Sequence, residues 1–181
     1  KEVAERHPLI DPSHYHAALW DDQDGDLDPS GATYAFAKAA RVHGAQYFTH
    51  TPVTATTQRP DASWDVQTPK GTINAEYIVN CGGLWAREIG HMQGINLPVQ
   101  PMEHHYLLTE RIDGVVNHPT RLPCGIDYEA NIYFRQEREG MLLGTYEPKG
   151  TPWKVDGTPW DFGHELLQPD LDRIADRLEL G

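Results

Sequence analysis

The sequence has few cysteines, few basic residues and no long hydrophobic run. Its 181 residues include only 2 cysteines, too few for a disulfide framework or a four-thiolate zinc site. Lys and Arg number 15 against 27 Asp and Glu, a formal net charge of −12. This argues against a non-specific nucleic-acid binder, because phosphate contacts need a basic surface. No run reaches about 18 apolar residues, so no membrane span is expected. The acidic balance and low cysteine content fit a reducing compartment, either a bacterial cytoplasm or a mitochondrial matrix.

What the sequence does contain is the composition of a folded chain, 39% hydrophobic and 23% charged. The clearest helix begins at Asp28-Pro29-Ser30, with Ser30 as the expected N-cap. Gly44 is expected to end it as a left-handed cap. Small residues at helical spacing predict a buried face that packs closely on a sheet. That face comprises Ala32, Ala35, Phe36, Ala39 and Val42.

The segment after this helix is rich in strand-forming residues. Ala45 to Thr57 and Thr72 to Asn80 are both predicted to contain strands. Between them Trp64, Val66 and Thr68 alternate with polar residues, and Pro69-Lys70-Gly71 predicts a turn. The order therefore predicts a helix followed by a β-meander.

The second half of the chain has a different pattern. Val99 to Thr109 is predicted as a strand, and Ile132–Arg135 and Met141–Gly144 as a hairpin joined across Arg138-Glu139-Gly140. Pro148 to Gly163 is expected to be irregular. A helix is predicted from Pro169 to Leu180, with Pro169 at its first position. A change between the two halves is expected near Leu97 to Pro101.

Two groups of residues raise the hypothesis of a metal site. Asp21 to Asp26 faintly resembles a calcium loop, but the position that should hold a Glu is Ala32, and a solvated loop is the better interpretation. The ten histidines include His14 and His16, and also His104 and His105 beside Glu103. Neither spacing suits convergent zinc ligands, so no metal is predicted.

The segment most typical of a functional site is Ile78-Val79-Asn80-Cys81-Gly82-Gly83-Leu84-Trp85-Ala86-Arg87. An apolar strand is expected to deliver two glycines to the start of a helix. Glycines let the backbone approach a ligand, and a helix N-terminus attracts phosphate. The alternative is a plain tight turn.

Several segments in one order make this sequence resemble the glycine and sarcosine oxidase-like branch of FAD-dependent amine oxidoreductases. Within that branch it is most similar to the dimethylglycine and sarcosine dehydrogenase group. The resemblance rests on the following segments, in chain order: Asp28-Pro29, Gly44-Ala45, Thr51-Pro52-Val53, Trp64 to Thr68, Gly71 to Ile73, Ala75-Glu76, Ile78 to Ala86, Pro101 to Glu110, Ile132 to Glu137, Gly140 to Glu147, Phe162 to Leu166 and Asp170 to Ile174.

The resemblance implies a bound FAD and the residues that touch it. Val53 is expected to lie against the adenine through its backbone. Asn80, Cys81, Gly82 and Gly83 are expected to run beside the flavin nucleotide, and Trp85 matches a flavin-binding residue of the family. Cys81 stands where the family usually has Ala, and its expected role is that of a small buried hydrophobe, with a reactive thiol as the alternative.

The resemblance also implies a sheet that covers the flavin and binds a small amine. Tyr106 is the candidate catalytic residue, and His104 shares its face of the strand. Tyr133, Arg135 and Glu147 are the further candidates for substrate binding, since an Arg can hold a carboxylate in a bidentate fork. The alternative for each of these side chains is a structural role in packing or in a salt bridge.

The implied fold class is α/β (α+β), a partial FAD-binding Rossmann-like domain with a β-meander plus a mixed or antiparallel substrate-domain sheet. The expected division is a substrate-domain or linker segment in 1–27, part of the FAD-binding domain in 28–97, and the substrate-domain sheet and helix in 98–181. The chain is expected to be an internal piece that does not bind FAD tightly alone.

The implied activity is oxidation of a small N-methylated amine by hydride transfer to flavin. Oxygen or an electron-transfer flavoprotein would take the electrons, and a folate-binding region would lie outside this chain. Two alternatives stay open. One is a non-catalytic or regulatory paralogue of the same fold, and the other is a flavoprotein acting on another small amino or hydroxy acid.

Overall fold

The computed structural model describes residues 1–180, which divide into two units. The first unit contains Lys1–Ala32, His104–Gly150 and the residues from Leu167 onward, and the second contains Thr33–Glu103 and Thr151–Leu166. The helices are α1 (Glu2–Arg6), α2 (Pro29–Val42), α3 (Ala86–Met92), α4 (Asp113–Val116) and α5 (Leu171–Leu178), with 3-10 turns at Pro12–His14 and Gly83–Trp85. The strands are β1 (Ala55–Gln58), β2 (Trp64–Thr68), β3 (Gly71–Ala75), β4 (Tyr106–Leu108), β5 (Gly125–Asp127), β6 (Ile132–Glu137) and β7 (Gly140–Thr145).

The first unit is built on a four-stranded antiparallel sheet in the order β4-β7-β6-β5. Its centre is the hairpin of β6 and β7, in which Glu137 pairs with Gly140. The turn between them places Arg138 at a φ of 54°. The predicted hairpin is therefore confirmed.

One face of this sheet carries the hydrophobic core. Among the described residues, every buried hydrophobic side chain belongs to the first unit, and these are Val115, Leu122, Ala130, Ile132, Met141 and Ile174. Helices α4 and α5 both pack on β7. Burying each large aliphatic side chain contributes about 1.5–3 kcal/mol to the stability of the fold. The packed face therefore keeps the strands in place, and with them the side chains on the opposite face of the sheet.

The second unit contains a three-stranded antiparallel meander in the order β1-β2-β3. Its tight turn pairs Thr68 with Gly71, and Gly71 has a φ of +128° that favours glycine. The predicted meander and turn are confirmed, although β3 ends at Ala75 rather than at Asn80. The fold class of helices with antiparallel sheets is confirmed as well.

Helix α2 differs from the prediction in its cap and in its exposure. Ser30 lies inside the helix, and its backbone N–H donates to the Asp28 carboxylate at 3.0 Å. The aspartate therefore fills the capping role. Gly44 does adopt a left-handed conformation, with a φ of +92°. The predicted buried face is wrong within this chain, because Phe36 and Val42 are each 78% exposed.

Two further elements are shorter than predicted. The strand expected over Val99–Thr109 forms only at Tyr106–Leu108, with an isolated antiparallel bridge between Met102 and Pro152 before it. The last helix begins at Leu171 rather than at Pro169, and Asp170 caps it by accepting the N–H of Arg173 at 3.2 Å.

Candidate functional site

The face of the four-stranded sheet opposite the core carries most of the predicted substrate-binding residues. Tyr106 of β4 and Tyr133 of β6 both pair with Gly144 of the strand between them. Residues paired across antiparallel strands point to the same face. Arg135 lies two residues beyond Tyr133 and therefore also shares that face. An open groove runs along it, lined in part by Tyr106, Leu108, Tyr133 and Arg135.

His104 joins this face through Tyr133. Its Nε2 lies 3.0 Å from the Tyr133 hydroxyl, and the two rings are stacked at 8° with centroids 6.0 Å apart. Tyr146 packs beside Tyr133 with a centroid separation of 5.2 Å. We call His104, Tyr106, Tyr133 and Tyr146 the aromatic row. The row offers ring faces, hydroxyl groups and an imidazole to a small ligand.

Burial raises the pKa of Tyr133, and the neighbouring Tyr146 and Tyr106 hydroxyls add to the rise while Arg135 opposes it. The phenol therefore stays protonated at neutral pH. It can then donate one hydrogen bond and accept another.

Gly144 is a residue of the site that sequence reasoning missed. A Cβ at this position would collide with the ring of Tyr133. Only glycine lets that ring lie across the middle strand. The available signal was a glycine in the interior of a predicted strand, which marks a close approach.

The guanidinium group of Arg135 forms ion pairs with two carboxylates. Its Nη1 lies 3.0 Å from Asp26 and its Nη2 lies 2.9 Å from Glu137. Asp26 also accepts from Arg121 at 2.7 Å. Desolvation opposes ionisation of Asp26, but the hydrogen bonds and charges of Arg135 and Arg121 outweigh it and lower its pKa.

Glu147 is not brought to the aromatic row. This carboxylate is only 7% exposed and lies 2.6 Å from Nε of Arg173 and 3.2 Å from Nδ1 of His105. The other ring nitrogen of His105 accepts the backbone N–H of Asp170 at 3.1 Å. We call Glu147, His105 and Arg173 the ionic cluster. It attaches helix α5 to the sheet.

The turn predicted to lie beside the cofactor is organised by Asn80. Its side chain accepts the N–H of Gly82 at 3.1 Å and donates to the carbonyl of Ala86 at 2.9 Å. A Cβ on Gly82 would collide with Ile89, so this glycine packs against α3. Gly83 has a φ of +52° and open space around the position of a Cβ.

The outer side of this turn suits a cofactor. Cys81 is exposed, so its predicted role as a small buried hydrophobe is wrong within this chain. Val79, which precedes the turn, is 80% exposed. Together with the open side of Gly83, this leaves backbone accessible to a ligand, and the residues present fit the expectation of a nucleotide beside them.

The other two residues predicted to touch the cofactor are Val53 and Trp85, and Trp85 ends the 3-10 turn that begins at Gly83. Val53 is half-buried two residues before β1. The indole N–H of Trp85 donates to the carbonyl of Pro159 at 2.8 Å. Nearby, Glu88 accepts from Arg87 at 3.0 Å and from the N–H of Thr158 at 2.8 Å. These bonds attach the segment 151–166 to α3.

Neither a metal site nor a membrane span is found in the part of the chain that the structure describes. No group of three or more His, Cys, Asp or Glu side chains there could hold an ion. No helix within residues 1–180 is long and apolar enough to cross a bilayer.

Comparison with known proteins places this geometry in a family. The family model described as FAD dependent oxidoreductase matches residues 1–179. Among solved structures, the L-proline dehydrogenase from P. horikoshii matches with a TM-score of 0.74 and 29% identity, over 98% of this chain and 44% of that one.

Curated relatives agree with that family. Mitochondrial dimethylglycine dehydrogenase of Mus musculus is 41% identical over 99% of this chain and 21% of its own length. Mitochondrial sarcosine dehydrogenase of Homo sapiens is 32% identical over 98% of this chain and 19% of its own length. The mitochondrial pyruvate dehydrogenase phosphatase regulatory subunit of Mus musculus is 32% identical over 96% of this chain and 21% of its own length. The chain thus spans about a fifth of the length of these relatives.

Proposed function

Because this chain belongs to the family of FAD-dependent oxidoreductases, we propose that it forms part of an enzyme that oxidises a small N-methylated amino acid, such as dimethylglycine or sarcosine. The observation that carries the proposal is the grouping of His104, Tyr106, Tyr133 and Arg135 on one open face of the sheet. The identity to dimethylglycine and sarcosine dehydrogenases supports the same substrate class.

The spacing on β6 fits an amino acid with its two charged groups close together. Tyr133 and Arg135 lie two residues apart on the same face of the strand, so their Cα atoms are about 6.5 Å apart. The Arg135 guanidinium would bind the carboxylate of the substrate through charge-assisted hydrogen bonds. The aromatic row would then surround the methylated nitrogen and pack against its methyl groups.

The amine must lose its proton before it is oxidised. A partly desolvated aromatic surface lowers the proton affinity of a bound amine. His104 lies within hydrogen-bond distance of the Tyr133 hydroxyl, so the proton can pass through that hydroxyl to the imidazole. Tyr106, which lines the same groove, would orient the methyl group that is oxidised.

FAD, when bound, would accept the hydride equivalent that the N-methyl carbon gives up. Residues 28–97 would belong to the FAD-binding domain, with Val53, Asn80, Cys81, Gly82, Gly83 and Trp85 beside the nucleotide, and residues 98–181 to the substrate domain. The electron acceptor (oxygen or an electron-transfer flavoprotein) and any folate would be bound by other parts of the complete protein. A mitochondrial matrix or a bacterial cytoplasm suits such an enzyme.

The test is anaerobic reduction of the flavin in the complete protein. Dimethylglycine and sarcosine are expected to bleach the visible flavin absorbance, whereas glycine betaine, which has no nitrogen lone pair, is not. Tyr133→Phe should slow the reduction by at least about tenfold, since general acid–base catalysis contributes 10²–10⁴-fold or so. The matched control is Tyr128→Phe, an exposed tyrosine in the turn between β5 and β6. Reduction that is equally fast in both variants would remove Tyr133 from the chemistry.

A second candidate function is that of a non-catalytic subunit of the same fold. The similarity to the regulatory subunit named above favours it. The same experiment separates the two, because a regulatory protein would show no flavin reduction with any amine. Reduction by L-proline but not by methylated glycines would instead indicate another amino acid as substrate.

A further inference from the structure

Asp26 lies in an unusual position for a residue of an exposed, acidic loop. One carboxylate oxygen accepts hydrogen bonds from both Arg121, at 2.7 Å, and Arg135, at 3.0 Å. The two arginines come from different parts of the first unit, one from the connection between α4 and β5 and the other from β6. Their guanidinium groups therefore converge on one point, and that point holds a carboxylate.

Two guanidinium groups around one carboxylate form the arrangement by which proteins bind carboxylate ligands. The carboxylate side chain here is 24% exposed, so solvent has partial access to the point where the arginines meet. It also borders the proposed substrate groove, because Arg135 lines that groove.

The loop that supplies Asp26 can withdraw at low cost. Residues 21–25 form no helix or strand and are all exposed. Their side-chain bonds are local, with Asp21 accepting the N–H of Gln23 and Asp24 accepting the N–H of Gly25. No core contact within the loop is lost if Asp26 leaves its two partners.

We propose that Arg121 and Arg135 together form a binding site for a monocarboxylate, and that Asp26 occupies this site until a ligand displaces it. The inference rests on the proposed function in one respect, since the natural ligand would be the carboxylate of the amino-acid substrate. It adds Arg121 as the second arm of that site. It also makes Asp26 an internal competitor that weakens binding of small carboxylates and so sets which ligands can bind.

The experiment measures binding of acetate, a carboxylate without an amine, to the complete protein by calorimetry. An exposed ion pair stabilises its geometry modestly, so Asp26→Asn should lower the Kd for acetate by roughly fivefold. Asp22→Asn is the matched control, because it removes the same charge from an exposed position of the same loop. Arg121→Gln and Arg135→Gln should each weaken acetate binding, and acetamide should not compete.

The outcomes separate the inference from a general charge effect and from the proposed function. An equal gain in Asp22→Asn and Asp26→Asn would overturn it, since that gain would reflect net charge alone. An unchanged Kd in a folded Asp26→Asn protein would overturn it too, as would acetate binding that survives Arg121→Gln. Because acetate binding needs neither flavin nor turnover, failure here with normal amine oxidation would leave the proposed function intact. If Asp26→Asn fails to fold, Asp26→Glu provides the same test, since a longer side chain that misfits the two arginines should also lower the Kd.

Discussion

The two units of this chain differ in where their hydrophobic residues lie. In the first unit, Ile132, Met141 and Ile174 are buried between one face of a sheet and its helices. In the second unit, Tyr34, Phe36 and Tyr77 are each more than three-quarters exposed. The first unit can hold side chains at fixed positions, and it is there that the aromatic row and the ionic cluster form. The closed core on one face of the sheet therefore fixes the positions of the side chains on the opposite face.

The second unit is held differently, by polar contacts to its backbone. Asn80 fixes the glycine turn, and Arg87 donates to the carbonyls of Lys154 and Val155 at 3.0 and 3.1 Å. Most of helix α2 belongs to this unit, and Phe36 and Val42 of its predicted buried face are exposed within residues 1–180. Such a unit presents backbone and apolar side chains at its surface, where the first unit has a closed core.

Ile174→Ala against Phe36→Ala tests this contrast most strongly. Ile174 is 1% exposed, and truncating a buried aliphatic side chain should reduce the free energy of unfolding by about 2–5 kcal/mol. Phe36→Ala should change it by no more than about 0.5 kcal/mol. Urea unfolding of the 181-residue chain measures both. Similar losses of unfolding free energy in the two variants would contradict the difference between the two units.

Glu147→Gln against Glu88→Gln compares one charged cluster from each unit. Loss of the Glu147 charge leaves Arg173 and His105 without their anion, and we expect a loss of about 1–3 kcal/mol in unfolding free energy. Glu88→Gln should cost less, because Arg87 keeps its bonds to two backbone carbonyls and to Gln100. Thermal unfolding of the two variants shows which loses more stability. A larger loss in Glu88→Gln would mean that the second unit depends more on its ion pair than the first.

Gly144→Ala should have a smaller effect on stability and a specific effect on the site. The added methyl collides with the Tyr133 ring, and we expect a cost of about 1 kcal/mol because the half-exposed ring can swing aside. The hydrogen bond to His104 is then lost, which shifts the imidazole resonances in an NMR spectrum. Gly25→Ala is the control, since a Cβ there has no neighbour within 4 Å. A His104 signal unmoved by Gly144→Ala would show that the middle strand does not position the row.

The smallest expected effect is a pH dependence that comes from Asp26. Its pKa in the folded protein is lowered from 3.8, so its contribution to stability is present above that value and is lost as the pH falls through the lowered pKa. The contribution should be below about 1 kcal/mol for a partly exposed pair. The unfolding free energies of the wild type and of Asp26→Asn should differ near neutral pH and become equal in acid. A difference that grows in acid would contradict the assigned ion pairs.

Local patterns allowed the hairpin and the meander to be predicted. Alternation along β2 and the glycine turns at Gly71 and Arg138-Glu139-Gly140 act between residues close in sequence, so few alternatives compete with them. The buried face of α2 could not be predicted in the same way. Periodicity shows which side of a helix is apolar, but burial requires an opposing surface, and none covers Phe36 or Val42 within residues 1–180.

The candidate site was predictable in its residue types and less so in its grouping. Alternation along the predicted strand Val99–Thr109 placed His104 and Tyr106 on one face, and the structure adds Tyr133, because Tyr106 and Tyr133 both pair with Gly144. The pairing of Glu147 with Arg173 was not visible, since 26 residues separate them and no local pattern connects them. The contacts of Asp26 with Arg121 and Arg135 were hidden for the same reason.

The sequence by itself determined the family, the antiparallel hairpin, the glycine turn after Asn80 and the candidate set of polar and aromatic side chains. These depend on composition, short-range geometry and the order of segments. Only the tertiary structure decided that Glu147 serves the attachment of a helix, that Gly144 makes room for Tyr133, and that Asp26 lies between two arginines. Each of these depends on which strands and loops become neighbours, and that is set by the packing of the whole unit rather than by any local pattern.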